Sequence, residues 1–129
     1  MASSGTNHVI GWRLDPEQRR QLLRQIRPVY RDVIADHVTL ASKVDADAPL
    51  PSETGGEILG KIDDNAGLQA LVVAIGGTTG RPDGGTYHIT WSLDRNRGRE
   101  AVQSNNVIAR LGWRPLPEPI PITLIPARF

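Results

Sequence analysis

Two short segments of this chain carry the residue types that proton-transfer chemistry needs. His37 and Thr39 stand two positions apart, as do His88 and Thr90, and an apolar residue follows each of the four. Because a β-strand alternates its side chains between two faces, the His and Thr of each segment would share one face. Two imidazoles that exchange protons and two hydroxyls that bind oxygen suit the hydrolysis of a phosphodiester.

The repetition makes this pattern informative. One His-x-Thr segment on a strand is more often a surface or hydrogen-bonded core feature than a catalytic one, but two of the three histidines begin the same pattern. The third, His8, has no Thr at the matching position. A three-histidine metal site is the alternative, and neither spacing nor a nearby carboxylate supports it. The sequence therefore predicts catalysis by His37 and His88, with no metal and no cofactor.

The composition places limits on the class of protein. The chain has 129 residues, 39% of them hydrophobic and 22% charged, which predicts one globular domain over residues 1–129. It has no cysteine, so disulfides and thiolate chemistry are excluded. A formal net charge of +1 is too small for bulk nucleic-acid binding, so such a contact must be local. Neither a membrane-spanning stretch nor a signal peptide in residues 1–7 is recognisable, which predicts a cytoplasmic protein.

The apolar pattern predicts six strands and two helices in the order β-α-β-β-β-β-α-β. The two His-x-Thr segments fall in the second and fifth strands, which we expect near the middle of the fold. Pro119 and Pro121 place the last strand at a sheet edge, which favours a monomer. The predicted strands cover residues 8–14, 36–44, 57–62, 68–75, 86–93 and 119–125.

Capping residues locate both helices. Asp15 is a good N-cap with Gln18 at the capping-box position, and the helical period continues to Val33, with an end or kink expected at Pro28. The second helix, residues 105–111, is capped by Ser104 and closed by Gly112. Four arginines of the first helix are expected on its solvent-exposed face: Arg19, Arg20, Arg24 and Arg27.

With these motifs the chain resembles the 2H (two-histidine) phosphoesterase superfamily, which is defined by one H-x-[S/T] motif in each of two lobes. In particular it is similar to the cyclic phosphodiesterase domain of fungal-type tRNA ligases. The glycine-rich approach to the second motif, residues 84–88, and the Ser104-Asn105 helix start fit that pattern. The resemblance covers residues 8–129. It implies an α+β fold, bilobal and pseudo-symmetric, with antiparallel sheets, two flanking helices and one motif strand per lobe.

The resemblance also implies an activity: metal-independent hydrolysis of a 2',3'-cyclic phosphate on RNA ends or small cyclic nucleotides, as in RNA repair. His37 and His88 would then be the catalytic pair, and Thr39 and Thr90 would bind the phosphate oxygens. We expect His88 to be the base and His37 the acid, and fungal-type relatives leave a 2'-phosphate.

Four further side chains are possible substrate contacts, each with a structural alternative. Trp12 could stack on a base, but core packing is the commoner role of such a residue. Arg81 lies in the glycine-rich segment 76–85, which is either a plain connection or a flexible lid. Tyr87 and Ser92 flank the second motif, whereas Trp91 should face the core. The arginines that follow, Arg95, Arg97 and Arg99, are either a solvated loop or an RNA contact.

Other functions remain open at this point. The same chemistry would suit an ADP-ribose 1'',2''-cyclic phosphate or a 2',5'-phosphodiester. A non-catalytic binder of phosphorylated RNA ends is a second class, although a binder has no need of two proton-transfer groups. A third class is a structural partner in a larger repair assembly.

Overall fold

The computed structural model describes residues 7–129, so the predictions made from residues 1–6 lie outside it. The fold is α+β, as the sequence predicts. Two short 3-10 turns, Arg95–Arg97 and Ala101–Gln103, precede the second helix. The elements in chain order are β1 His8–Leu14, α1 Pro16–Gln25, β2 Asp32–Val33, β3 His37–Val44, β4 Gly55–Asp63, β5 Leu68–Ala74, β6 His88–Leu93, α2 Ser104–Leu111 and β7 Arg114–Arg128.

The strands form one antiparallel sheet in the order β2-β6-β5-β4-β7-β1-β3. The motif strand β3 is therefore at one end of the sheet, and β6 is next to the other end. The prediction that both lie near the middle of the fold is wrong as a statement about strand order. They nevertheless come together in space, because the sheet curls until Cα atoms of β3 and β6 lie within 8 Å of each other.

A backbone bend at Ala35 brings the two motif strands together. Ile34 N–H donates to Trp91 O at 3.0 Å, and Ala35 N–H donates to Thr90 O at 2.9 Å, so this segment runs antiparallel to β6. Ala35 then adopts a φ of 44°, which is uncommon for a residue with a Cβ. The chain turns away from β6 at this point, and from His37 onward it pairs with β1.

Arg19 of α1 holds this bend. Its Nε donates to Ala35 O at 2.7 Å and its Nη2 donates to Ile34 O at 3.2 Å. The prediction of a solvent-exposed face is therefore wrong for Arg19, which is half-buried. A charged donor satisfies two carbonyls that the strand pairing leaves without partners.

The start of α1 is as predicted, but its end is not. Asp15 accepts from Gln18 N–H at 3.0 Å as the N-cap. The Gln18 side chain does not complete a capping box: it donates to Pro121 O at 3.0 Å and accepts from Thr123 N–H at 2.6 Å. The helix ends at Gln25, and Val33 lies in β2 instead of continuing the helical period.

The last strand, β7, is longer and more central than predicted. It lies between β4 and β1, so its placement at an edge is wrong. Residues 114–123 pair with β4 and residues 124–128 pair with β1. Thr123 N–H points to Gln18 and not to a neighbouring strand. Pro121 lies two residues earlier on the same strand, so its nitrogen faces the same side. A proline there removes no ladder hydrogen bond, which explains how a central strand tolerates it.

The core lies inside the curled sheet. Val38, Ile89 and Trp91, which are apolar members of the two motifs, are fully buried there. This confirms that Trp91 is a core residue. α2 packs on the opposite face of β5 through Val107 and Ile108. Within residues 7–129, no helix has the length and apolar content needed to span a membrane.

Candidate active site

His37, the first residue of β3, is held by three neighbours. Its Nδ1 lies 3.1 Å from Oδ2 of Asp36, and its ring packs against Phe129 with a centroid distance of 4.7 Å. Arg13 contacts both of these groups: Nη1 lies 3.4 Å from each carboxylate oxygen of Asp36, and the guanidinium lies 4.8 Å from the centre of the Phe129 ring. These contacts fix the ring orientation while 32% of the His37 side chain stays exposed.

His88, the first residue of β6, has a different environment. Its Nδ1 lies 2.8 Å from the backbone oxygen of Thr86. A carbonyl only accepts hydrogen bonds, so Nδ1 carries the proton and the neutral ring presents a lone pair at Nε2. Burial lowers the pKa of His88, and the charges of Arg81 and His37 lower it further, against the opposing effect of the Thr86 carbonyl. His88 is therefore a neutral imidazole at pH 7.

The two histidines start at the same level of their strands. Asp32 pairs with Leu93 and Ala35 bonds to Thr90, so a continued antiparallel register would set His37 opposite His88. The bend at Ala35 turns β3 aside just before this level is reached. The rings remain close enough for a charge on His37 to lower the pKa of His88.

Thr90 is positioned by α2. Its hydroxyl lies 2.8 Å from Oγ of Ser104 and 3.5 Å from the backbone oxygen of Ala101, and the residue is 7% exposed. A hydroxyl has one hydrogen and two acceptor sites. Thr90 can donate to a phosphate oxygen only if Ser104 donates to Thr90. Ser104, in the first turn of α2, thus supports the second motif. The prediction of Ser104 as the N-cap is wrong, because Gln103 takes that position.

Thr39 is half-buried on β3, two residues from His37. Its partner on β1 is Gly11. A Cβ at Gly11 would lie 2.1 Å from the backbone oxygen of Val38 and 3.0 Å from Cα of Thr39. Glycine at this position therefore permits the close approach of β1 that places the first motif.

Arg81 lies beside the second motif in a well-bonded loop. Its Nε and Nη2 lie 3.1 and 2.6 Å from the carboxylate of Asp83, and 9% of its side chain is exposed. This contact lowers the pKa of Asp83 to about 2, so the carboxylate stays charged at neutral pH. Backbone bonds from Arg81 N–H to Gly85 O at 2.8 Å and from Tyr87 N–H to Thr79 O at 2.7 Å hold the loop together.

The structure places the other possible substrate contacts in the interior. Trp12 and Tyr87 are buried and pack edge to face with a centroid distance of 5.8 Å. The Trp12 indole donates to Glu53 O at 2.8 Å. Ser92 is fully buried and its hydroxyl donates to Gln69 Oε1 at 2.6 Å. Buried and bonded in this way, these side chains present little or no surface to a substrate.

The later arginines lie at the other end of β6. Arg97 pairs with Asp94 at 3.2 Å, and Arg99 pairs with Asp64. His88 begins β6 and these residues follow its end, so the strand separates them from the histidine. Their placement agrees with the structural alternative for this loop.

The described residues 7–129 contain no group of three or more His, Cys, Asp or Glu side chains that could hold a metal ion. His8 pairs with Val44 at one end of β1, whereas His37 pairs with Arg13 towards the other end. The three histidines therefore do not converge.

Two clefts flank the structure. The larger, of about 1030 Å³, lies between the end of α1 and the first half of β7, and neither catalytic candidate lines it. The smaller, of about 430 Å³, is bounded by Gly84, Gly85 and Thr86 and by Val102 and Asn105 of the α2 region. Neither histidine lines the smaller cleft, although Thr86, whose backbone oxygen lies 2.8 Å from His88 Nδ1, does.

Sequence reasoning missed the groups that hold the histidines. Asp36 precedes His37 directly, so a carboxylate was visible at that position. In the sequence, Asn105 is recognisable only as part of a helix start. Phe129 and Arg13 carry no signal in the sequence, because their contact with His37 depends on how β7 and β1 pair.

Comparison of the chain with protein-family models, with curated proteins and with solved structures gave no match. Its function is therefore argued from the site itself.

Proposed function

We propose that this protein is a metal-independent cyclic phosphodiesterase of the two-histidine phosphoesterase type. Its substrate would be the 2',3'-cyclic phosphate of an RNA end or a small nucleotide. One observation carries the proposal: His37 and His88 begin strands whose Cα atoms come within 8 Å of each other, and their Nδ1 atoms have partners of different charge, a carboxylate and a peptide carbonyl. This difference suits one group to give a proton and the other to take one.

The acid and base roles follow from these environments. A half-buried His88 with its pKa lowered and its Nε2 lone pair free is suited to take a proton from water. The Asp36 carboxylate would pair with the charge of a protonated His37, which suits His37 as the acid. The opposite assignment would need a charged ring in the more buried position, which desolvation disfavours.

The reaction then balances without a further reactant. His88 Nε2 accepts a proton from water as the water oxygen bonds to phosphorus. The bond between phosphorus and one ribose oxygen breaks, and His37 donates a proton to that leaving oxygen. The product is a phosphomonoester, and exchange of one proton with solvent restores both rings. Departure of the 3'-oxygen would leave the 2'-phosphate that the resemblance implies.

Thr39 and Thr90 would bind the non-bridging oxygens, where charge increases in the transition state. Arg81 would add a cation beside His88, although Asp83 neutralises much of its charge. Thr39 lies two residues from His37 on β3, and Thr90 lies two residues from His88 on β6. This matching placement supports one shared phosphate site.

The strand arrangement supports the bilobal form of this fold. One lobe would comprise β1, β3 and the second half of β7, with the first motif. The other would comprise β2, β4, β5, β6 and the first half of β7, with the second motif. β7 belongs to both lobes, so the motifs would face each other across the place where the curled sheet nearly closes.

Hydrolysis of 2',3'-cyclic AMP in the presence of EDTA tests the proposal. The His37→Ala and His88→Ala proteins should each lose about 100-fold or more in kcat, since a positioned acid or base contributes about that much. His8→Ala is the matched control, because His8 lies at the far end of β1 from the site. Separation of 2'-AMP from 3'-AMP names the leaving oxygen.

The outcomes of this test are distinct. Wild-type turnover that survives either substitution would contradict the two-histidine mechanism. Absence of wild-type turnover on cyclic AMP, a cyclic-phosphate RNA end, a 2',5'-linked dinucleotide and ADP-ribose 1'',2''-cyclic phosphate would overturn the proposed activity and favour a non-catalytic binder.

A further inference from the structure

A short series of hydrogen bonds leads from α2 to the ring of His88. Asn105 Oδ1 accepts from the backbone N–H of Thr86 at 3.1 Å. The backbone oxygen of the same Thr86 accepts from His88 Nδ1 at 2.8 Å. Asn105 thus holds the residue that fixes which nitrogen of His88 carries the proton.

The loop backbone is shaped to admit the Asn105 amide. A Cβ at Gly85 would lie 2.5 Å from Nδ2 of Asn105 and 3.1 Å from its Oδ1. Such distances are too short for unshifted atoms, so any larger residue at Gly85 must push the amide aside. The glycine and the asparagine therefore act as one unit around Thr86.

We propose that Asn105 is a positioning residue that keeps His88 in the Nδ1–H tautomer and leaves Nε2 free to take a proton. The use of that lone pair rests on the proposed function, but the tautomer itself does not. Asn105 touches neither the ring nor a substrate in this assignment. It acts through the Thr86 backbone, as outer partners of functional histidines commonly do.

A second anchor sets the expected size of the effect. The peptide that follows Thr86 is also held by the bond from Tyr87 N–H to Thr79 O at 2.7 Å. Loss of Asn105 should therefore loosen the Thr86 carbonyl without removing it. The hydrogen bond that His88 Nδ1 donates to the Thr86 oxygen raises the pKa of His88. A weaker bond should therefore move the His88 titration to lower pH and admit the Nε2–H tautomer.

Nitrogen-15 NMR of the histidine rings measures this directly, because the chain has three histidines and two serve as internal references. Asn105→Leu keeps the size of the side chain and removes the acceptor, so a mixture of His88 tautomers and a lower midpoint are expected. Asn105→Asp retains an acceptor and should keep the Nδ1–H tautomer. Asn106→Leu is the matched control, at an exposed neighbouring position of α2.

Gly85→Ala provides an independent route to the same effect. The added Cβ would lie 2.5 Å from the Asn105 amide nitrogen and 3.1 Å from Arg81 Nε. It displaces the amide most, so it should also mix the His88 tautomers. It serves in place of Asn105→Leu if that protein does not fold. A His88 ring that stays Nδ1–H with an unchanged midpoint in the folded variant would overturn the inference.

Kinetics separate this inference from the proposed function. Asn105→Leu should lower kcat about tenfold or more with little change in KM, as is typical when an outer partner of a functional histidine is lost, and Asn105→Asp should restore it. If the wild-type protein hydrolyses no cyclic phosphate, the proposed function fails, while the tautomer measurement still decides the role of Asn105.

Discussion

At the scale of single residues, two identical side chains have different environments. The same pattern surrounds His37 and His88, and in the sequence only the resemblance separates them, with His88 expected as the base and His37 as the acid. The structure distinguishes them through the partner of each Nδ1 and through burial. The shared face of the His and Thr in each motif was predictable from the two-residue period of a strand alone. The different environments of the two rings were not, because they depend on Thr86, Asp36 and the packing around them.

The pH dependence of the reaction should show the environment of His88. Because the base must be neutral and its pKa is lowered, the rate should fall on the acidic side only below pH 6.5, the ordinary value for histidine. In Arg81→Gln a cation that lowers this pKa is lost, so the acidic limb of kcat/KM should move to higher pH. A pH–rate profile of both proteins measures the shift.

Loss of the Arg81 charge leaves the Asp83 carboxylate without its ion-pair partner. The control is therefore the double variant, in which Asp83→Asn accompanies Arg81→Gln. The acidic limb of the double variant should also lie above that of the wild type. A limb that stays in place in both variants would remove Arg81 from the electrostatics of the base.

At the scale of elements, helix and strand positions followed from the sequence wherever local signals agreed. β1, β5 and the cap of α1 are examples. The errors arose where distant contacts decide the outcome. α1 ends at Gln25, shortly before Pro28, and the N–H groups of Val29 and Tyr30 bond to the side chains of Gln69 and Ser92 instead of continuing the helix. β7 is central although Pro121 lies in it, because the backbone around Pro121 bonds to Gln18 of α1 on that side.

The bend at Ala35 supplies a prediction at this scale. Arg19→Leu removes two charged hydrogen bonds to the carbonyls of Ile34 and Ala35. Hydrogen bonds from charged groups contribute about 1.5–3 kcal/mol each. Because Arg19 is only half-buried, we expect the free energy of unfolding to fall by about 1.5–3 kcal/mol for the two bonds together. Urea denaturation measures it, and kcat should fall as well because β3 loses its position beside β6.

Arg20→Leu is the matched control for this variant. Arg20 lies on the same helix but pairs only with Glu17 at the surface, a type of ion pair worth about 0–1 kcal/mol. Equal destabilisation by the two substitutions would show that Arg19 has no special role at the bend.

At the scale of the whole molecule, the curled sheet encloses the apolar members of both motifs and places His88 where burial lowers its pKa. Its pKa is lower in the folded protein than in the unfolded chain, so the unfolded chain binds the proton more readily. The stabilisation from a neutral His88 is therefore complete above pH 6.5 and is lost as the pH falls from 6.5 towards the folded value.

Denaturant titrations across this pH range test that dependence. The free energy of unfolding should decline as the pH falls below 6.5, and His88→Gln should reduce the decline because a neutral amide does not titrate. His8→Gln is the control, since His8 lies at the end of β1. An equal pH slope in wild-type protein and His88→Gln would mean that His88 is not the responsible group.

The position of β7 has a consequence for the protein during its synthesis. β1 and β4 do not pair with each other, and the strand that pairs with both of them comprises residues 114–128. A ribosome delivers these residues after both histidine motifs have already emerged. A nascent chain that lacks them can build the hairpin of β4 and β5 and the pairing of β2 with β6, but β1 and β3 then have no strand that joins them to β4. The proposed activity would therefore arise only once the strand common to both halves is in place.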